Sequence, residues 1–136
     1  MDRATTQGRA LHPAPTFKVR IAAEPVNSQN VFLYHKTTNR CVYEAAKRSR
    51  PDCDDVILFN ERGEVTESTI ANVVVEINGR RITPPVSCCL LAGTFREHLL
   101  ERGEIEEEVV TIEQLQRAER VFLINSVREW VNARLI

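Results

Sequence analysis

The sequence predicts an α+β domain in which most strands pair in antiparallel fashion. Apolar segments of strand length are interspersed with short helical patterns, and a two-residue hairpin signal separates two of the strands. The patterns amount to about seven strands and three helices. Because the chain has 136 residues, we expect one compact domain with one hydrophobic core.

The first half of the chain contains a tail, two strands and a helix. Residues 1–16 are polar and contain two prolines, which predicts a linker or disordered tail. Residues 17–23 alternate apolar and polar side chains, the pattern of a strand. Helix formers at 42–49 precede Pro51, which predicts a helix that stops there. The apolar run at 55–60 then predicts a buried strand.

The second half begins with a hairpin. Residues 65–77 predict a strand region, and Asn78-Gly79 predicts a tight turn into a strand at 80–83. Beyond Pro84-Pro85 the pattern becomes helical, with Gly103 as its stop. The remaining predicted elements are a strand in "IEEEVV", a short helix with Thr111 as N-cap, a strand in "VFLIN" and a last strand in "VREWVNARL".

Composition excludes several classes of function. The formal net charge is −1, and no run of like charge resembles a nucleic-acid-binding arm. No segment has the apolar length of a signal peptide or a membrane span. We therefore expect a soluble, cytoplasmic protein with neither nucleic acid nor membrane as partner. The cysteines lack the spacing of a zinc site, so we expect reduced thiols and no metal at Cys41, Cys53, Cys88 and Cys89.

Lys36 is one of only three lysines in a chain with fifteen arginines. A lysine amine can lose its proton and attack a carbonyl carbon, whereas an arginine stays protonated. Lys36 is therefore a candidate nucleophile. A solvated surface charge is the ordinary alternative.

Five segments carry a family resemblance: "HKTTNR", "GEVTESTIAN", "ITPP", "LLAGTFR" and "VFLINSVREW". Their order resembles that of the class IV pyridoxal-phosphate aminotransferase family, and most closely its aminodeoxychorismate lyase branch. The resemblance runs from about Phe17 to the C-terminus. It implies the large domain of fold type IV, pyridoxal 5'-phosphate as cofactor, and conversion of 4-amino-4-deoxychorismate to 4-aminobenzoate and pyruvate. The alternatives are a branched-chain or D-amino-acid aminotransferase, and a non-catalytic domain that dimerises or binds a partner.

The resemblance assigns roles to two charged residues. Lys36 matches the lysine that forms the internal aldimine and then acts as a base. Glu67 matches the glutamate that pairs with the pyridine nitrogen of the cofactor, where a carboxylate keeps the ring protonated and improves it as an electron sink. Without the resemblance, Glu67 would be interpreted as an exposed charge in a hairpin.

The resemblance also implies a phosphate site at Gly93, Thr94 and Phe95, where backbone N–H groups begin a helix. The family's common "G-I-T" form has a hydroxyl where this chain has Phe95, so the oxygen would have to come from Thr94. Ser126 matches a second phosphate-binding hydroxyl. A helix cap and a serine at a strand end are the alternatives.

Asn39, Arg40 and Arg128 are candidates for substrate binding. "KTTNR" and "NSVREW" resemble the lyase branch, and arginines suit a substrate with carboxylates. Solvated arginines explain the same residues equally well. Cys89 stands where related lyase sequences often have glycine, which is expected to alter the turn before "LLAG".

The family has a smaller N-terminal domain, for which this sequence has only the tail at 1–16. The resemblance therefore implies residues 17–136 as the large domain, either of a longer protein or of a shortened relative. Expected partners are a small-molecule substrate, the absent small domain or a fused aminodeoxychorismate synthase component. We also expect a homodimer, because self-association covers exposed apolar surface.

Overall fold

The computed structural model describes residues 16–29 and 40–136. Lys36, Asn39 and residues 1–15 of the predicted tail lie outside the described residues, and so does the side chain of Arg40. No helix within the described ranges has the length and apolar character needed to cross a membrane.

The described residues form eight strands and three α-helices, which confirms the predicted α+β class. The strands are β1 (Phe17–Ile21), β2 (Asp55–Phe59), β3 (Val65–Ser68), β4 (Asn72–Ile77), β5 (Arg80–Thr83), β6 (Glu106–Glu107), β7 (Arg120–Asn125) and β8 (Glu129–Leu135). The helices are α1 (Arg40–Ser49), α2 (Thr94–Glu101) and α3 (Ile112–Arg117), and a 3₁₀ turn spans Val86–Cys88.

The strands form one sheet in the order β3-β2-β1-β8-β7-β4-β5-β6. A further pairing of β3 with β4, at Glu67 and Asn72, closes the first six of these strands into a ring. Pairing is antiparallel between β2 and β3, β3 and β4, β4 and β5, β4 and β7, and β7 and β8. It is parallel at β1–β2, β1–β8 and β5–β6, so antiparallel pairing predominates as predicted.

Successive side chains of a strand point alternately to the inside and the outside of the ring, and the apolar clusters follow this alternation. Val73 and Val75 of β4 belong to the cluster inside the ring, together with Val19 and Leu123. Val74 points the other way, into a cluster that α2 covers. The cluster on the α1 side consists of Ala22, Val26, Val56, Leu58 and Cys89, with Val42, Tyr43, Ala46, Cys53 and Phe59 packed against it. Apolar side chains therefore fill the interior of the ring, and α1 and α2 each cover a patch of its outer surface.

Local sequence signals predicted several turns and ends correctly. Asn78 and Gly79 have φ of 53° and 77°, as a hairpin turn with two left-handed residues requires. Thr111 caps α3 in a reciprocal arrangement, because its side chain accepts a hydrogen bond from the Gln114 N–H at 3.1 Å and the Gln114 side chain accepts one from the Thr111 N–H at 2.9 Å. The described cysteines are free thiols.

Three strand predictions need correction. Residues 65–77 form two strands rather than one, because the Ser68 hydroxyl accepts the backbone N–H groups of Ile70 and Ala71 and turns the chain. The strand in "IEEEVV" has only two residues, since the Val110 carbonyl leaves the ladder to accept the Val65 N–H at 2.7 Å. The last strand begins at Glu129 because Asn125 holds the preceding turn.

Candidate functional site

Glu67 is a buried acid on β3, with 4% of its surface exposed. The pairing of β2 with β3 changes register at a bulge, between the pairs Ile57–Ser68 and Phe59–Val65. If the side chains of β3 alternated regularly, Glu67 would lie on the same face as Val65, inside the ring. The bulge instead turns the Glu67 side chain toward α1. The Tyr43 hydroxyl donates to Glu67 Oε2 at 2.7 Å, and the Leu91 N–H donates to Oε1 at 3.3 Å.

Burial raises the pKa of Glu67 to about 8, although the two donors act in the opposite direction. The pKa of Tyr43 is also raised, first by burial and then by Glu67. No positively charged side chain in the described ranges contributes to the pKa shift of Glu67. The interpretation of Glu67 as an exposed hairpin charge is therefore wrong. The site offers a carboxyl group that a cationic partner would ionise.

Asn72 links this acid to the start of α2. It lies directly opposite Glu67 in the β3–β4 pair. Its side-chain amide donates to the Leu91 carbonyl at 2.8 Å, and its Oδ1 accepts the Gly93 N–H at 3.2 Å. Because Leu91 also donates to Glu67, a continuous set of contacts runs from Tyr43 to Gly93.

Gly93 is the N-cap residue of α2, and no described side chain caps this helix end. The first N–H groups of the helix are thus available to an anion. A Cβ at Gly93 would lie 2.7 Å from Asn72 Oδ1, so only glycine fits without displacement of Asn72. Thr94 is exposed. The Phe95 ring instead meets Trp130 edge to face at 6.4 Å between centroids, so Phe95 offers an anion only its backbone N–H.

Ser126 lies in the exposed turn between β7 and β8, at the same end of the sheet. Asn72 pairs with Ile124, two residues before Ser126. The Asn125 side-chain amide donates to the Ile70 carbonyl at 3.2 Å and so ties this turn to the β3–β4 turn. The fold therefore brings Glu67, the Gly93 helix end and Ser126 to one end of the sheet.

Of the candidate substrate-binding residues, Arg128 has a described side chain. Arg128 is exposed, and its guanidinium lies over the Phe17 ring, 5.2 Å from the centroid. Lys36, Asn39 and the side chain of Arg40 fall outside the described residues. Their roles stay predictions.

Cys89 adopts φ of 88°, a left-handed conformation that favours glycine. It is buried in the cluster that also contains Val56 and Leu58. The chain thus places a buried cysteine in a conformation usually left to glycine, and the expected alteration of the turn stays a prediction.

Sequence reasoning missed Tyr43 and Asn72. Tyr43 resembles an ordinary apolar helix residue, and its partner lies 24 positions away. Asn72 did leave a signal, because asparagine is disfavoured in strands and yet opens the run "NVVVEI". A polar residue at such a position usually has a specific partner.

Comparisons with known proteins agree with this geometry. The family described as "Amino-transferase class IV" matches residues 3–136. A Schizosaccharomyces pombe protein named "Putative aminodeoxychorismate lyase" is 36% identical over 135 residues, covering 94% of this chain and 58% of the relative. The aminodeoxychorismate lyase of Saccharomyces cerevisiae is 31% identical over 129 residues, covering 80% of this chain and 34% of the relative.

A solved structure is also similar. The Mesorhizobium loti protein described as a "Putative amino-acid aminotransferase" is 37% identical, with a TM-score of 0.84 over 90% of this chain and 60% of that protein. The chain thus spans 58% and 34% of the length of the two curated relatives.

Proposed function

This chain belongs to the class IV aminotransferase family, and we propose that it forms the cofactor-binding domain of a pyridoxal-phosphate lyase that converts 4-amino-4-deoxychorismate to 4-aminobenzoate and pyruvate. One observation carries the proposal. A buried acid without a cationic side chain among the described residues is joined by hydrogen bonds to an uncapped helix N-terminus. The two fungal relatives named for this lyase activity favour that substrate.

The described residues fit pyridoxal phosphate. The cofactor carries a ring nitrogen that can be protonated and, on a side arm of the ring, a phosphate. Glu67 offers a buried carboxyl group to a cation, and the Gly93 end of α2 offers N–H groups to an anion. Asn72 hydrogen-bonds to Leu91 and Gly93 and so holds the acid and the helix end in a fixed arrangement.

When bound, pyridoxal phosphate supplies a conjugated ring that accepts an electron pair from the carbon beside the substrate nitrogen. Glu67 would hold a proton at the ring nitrogen, where its ionised form is stabilised by the opposite charge. Burial strengthens this interaction, since little water screens it.

The other proposed roles follow from position. The backbone N–H groups of Thr94 and Phe95 and the Ser126 hydroxyl would bind the phosphate. Lys36 would hold the cofactor through its amine and move the substrate proton. The arginines Arg40 and Arg128, with Asn39, would orient the carboxylates of the substrate.

The assembly around this domain is also part of the proposal. The chain spans 58% of the S. pombe relative, and we propose that a further domain or a second copy completes the substrate pocket. We expect weak turnover from this chain by itself, because an open pocket admits water and orients the substrate poorly.

The attachment of the cofactor tests the proposal directly. The chain is incubated with excess pyridoxal phosphate, reduced with borohydride and digested, and the labelled peptide is identified by mass spectrometry. We expect a stable adduct on Lys36. Labelling of Lys18 or Lys47 without Lys36 would refute the assignment.

The reaction type needs a second assay, because the M. loti structure is described as an aminotransferase. A lyase should release 4-aminobenzoate and pyruvate from 4-amino-4-deoxychorismate without an amino donor. Transfer of amino groups between amino acids and 2-oxo acids, with no 4-aminobenzoate formed, would favour the aminotransferase instead.

A further inference from the structure

Tyr43 reaches Glu67 from a different element of the fold. It lies on α1, whose residues Val42 and Ala46 pack with it against Val56 and Leu58. This packing fixes the position of the Tyr43 ring. Its hydroxyl then lies 2.7 Å from Glu67 Oε2, a short distance for a hydrogen bond between a phenol and a carboxyl group.

We propose that Tyr43 is a positioning residue for Glu67: it holds one carboxyl oxygen, fixes the orientation of the group and favours its ionised form. The inference rests on the proposed function, because it assigns Tyr43 a role in keeping a proton on the ring nitrogen of the cofactor. Tyr43 acts through Glu67 and needs no contact with the cofactor itself.

Two opposing effects make this contact important. Burial favours the neutral carboxylic acid, which cannot stabilise a protonated ring nitrogen by charge. The Tyr43 hydroxyl and the Leu91 N–H each donate to one oxygen, and both favour the carboxylate. Since Leu91 contributes a backbone group at 3.3 Å, Tyr43 is the closer donor and the one that mutation can remove.

Few other titratable groups of the described residues affect this contact. Within the described part of the chain, the titratable groups that face this contact are Tyr43 itself, from α1, and the Cys89 thiol, which raises the pKa of Tyr43. Leu91 contributes only its backbone, and Asn72 of β4 is neutral. Removal of the Tyr43 hydroxyl therefore removes the shorter of the two described hydrogen bonds to the Glu67 carboxyl group.

Packing of the ring is the competing explanation for Tyr43. Tyr43→Phe separates the two, because phenylalanine retains the ring against Val56 and Leu58 and removes only the donor. Ser28→Ala is the matched control. The Ser28 hydroxyl donates to Glu61 Oε2 at 2.6 Å, a similar contact on a different acid.

The first experiment uses the full chain without cofactor. The pH titration of the Glu67 side-chain carboxyl is followed by ¹³C NMR, and loss of the resonance in Glu67→Gln assigns it. Loss of a hydrogen bond to a charged group predicts an upward shift of the midpoint by about one pH unit in Tyr43→Phe. Ser28→Ala should titrate as wild type. An unchanged midpoint in Tyr43→Phe overturns the inference.

The second experiment adds pyridoxal phosphate labelled with ¹⁵N in the ring. We expect a protonated ring nitrogen in wild type and Ser28→Ala, and a chemical shift displaced toward neutral pyridine in Tyr43→Phe. Equal ring protonation in all three proteins would refute the role of Tyr43. Failure of wild type to bind pyridoxal phosphate would refute the proposed function, while the cofactor-free titration would still decide whether Tyr43 controls Glu67.

Discussion

Two buried ionisable side chains, Arg96 and Glu67, have opposite kinds of surroundings. Arg96 on α2 is 1% exposed and contacts the carboxylates of Glu97 and Glu107 and the Pro84 carbonyl, the last at 3.1 Å. Glu67 is 4% exposed and accepts hydrogen bonds only from neutral donors among the described residues. Within residues 16–29 and 40–136, opposite charge lies against Arg96 and none lies against Glu67.

This difference separates a structural charge from a binding group. A buried ion is tolerated when opposite charge and hydrogen bonds replace water, as they do around Arg96. No cation lies against Glu67 within the described residues, and burial raises its pKa to about 8. A cation placed against Glu67 would restore the compensation. Two carboxylates thus compensate the charge of Arg96, although its buried Nε–H has no partner within the described residues, whereas the region around Glu67 suits a positively charged ligand.

Removal of Arg96 should have the largest effect on stability. Arg96→Ala leaves a cavity and separates α2 from Glu107 and Pro84, so we expect a loss of about 3–5 kcal/mol in the free energy of unfolding. Urea denaturation measures it. Arg102→Ala is the control, because Arg102 forms an exposed pair with Glu104 and should cost less than about 1 kcal/mol. Equal losses of unfolding free energy in Arg96→Ala and Arg102→Ala would contradict the interpretation of Arg96 as a structural charge.

Glu67 should make stability depend on pH. Its folded pKa, about 8, lies above the ordinary value of 4.5, so the folded state binds the extra proton. The stability from this proton is complete below pH 4.5 and is lost as the pH rises through 8. We expect wild type to lose about 2–4 kcal/mol relative to Glu67→Gln across this range.

Denaturation of both proteins at a series of pH values tests this prediction. Pyridoxal phosphate should flatten the wild-type dependence, because a protonated ring lowers the pKa of Glu67. If the unfolding free energies of wild type and Glu67→Gln change with pH in parallel without cofactor, the folded protein does not raise the pKa of Glu67.

Local signals in the sequence were sufficient for most elements. The Asn78-Gly79 turn and the Thr111 cap depend on residues within three positions of each other, and both predictions are confirmed. The family resemblance singled out Glu67, whose burial contradicts the alternative of an exposed charge, and its role toward the cofactor stays a prediction. The role of Lys36 stays a prediction.

Contacts between distant segments could not be predicted in this way. The bulge that turns Glu67 toward α1 depends on the register of β2 against β3, and the contact with Tyr43 depends on where α1 packs. The link from Asn72 to Gly93 spans 21 positions. Neither periodicity nor local propensity contains this information, because both describe neighbours along the chain.

Gly93→Ala should cost less stability than Arg96→Ala, and it tests how the two regions are connected, because Gly93 is the N-cap residue of α2, the helix that carries Arg96. Gly93 has φ of −66° and ψ of 155°, which alanine adopts without strain, so any cost arises from the 2.7 Å approach of a Cβ to Asn72 Oδ1. Displacement of Asn72 would weaken its hydrogen bonds to Leu91 and Gly93, and we expect a loss of about 1–2 kcal/mol in the free energy of unfolding.

Gly103→Ala is the matched control, because its cost of about 1 kcal/mol comes from φ of 72° in open space. The two variants should therefore differ little in urea denaturation, yet only Gly93→Ala should weaken the binding of pyridoxal phosphate and alter the Glu67 titration. Equal effects of both variants on that titration would show that Asn72 does not connect the acid to the helix.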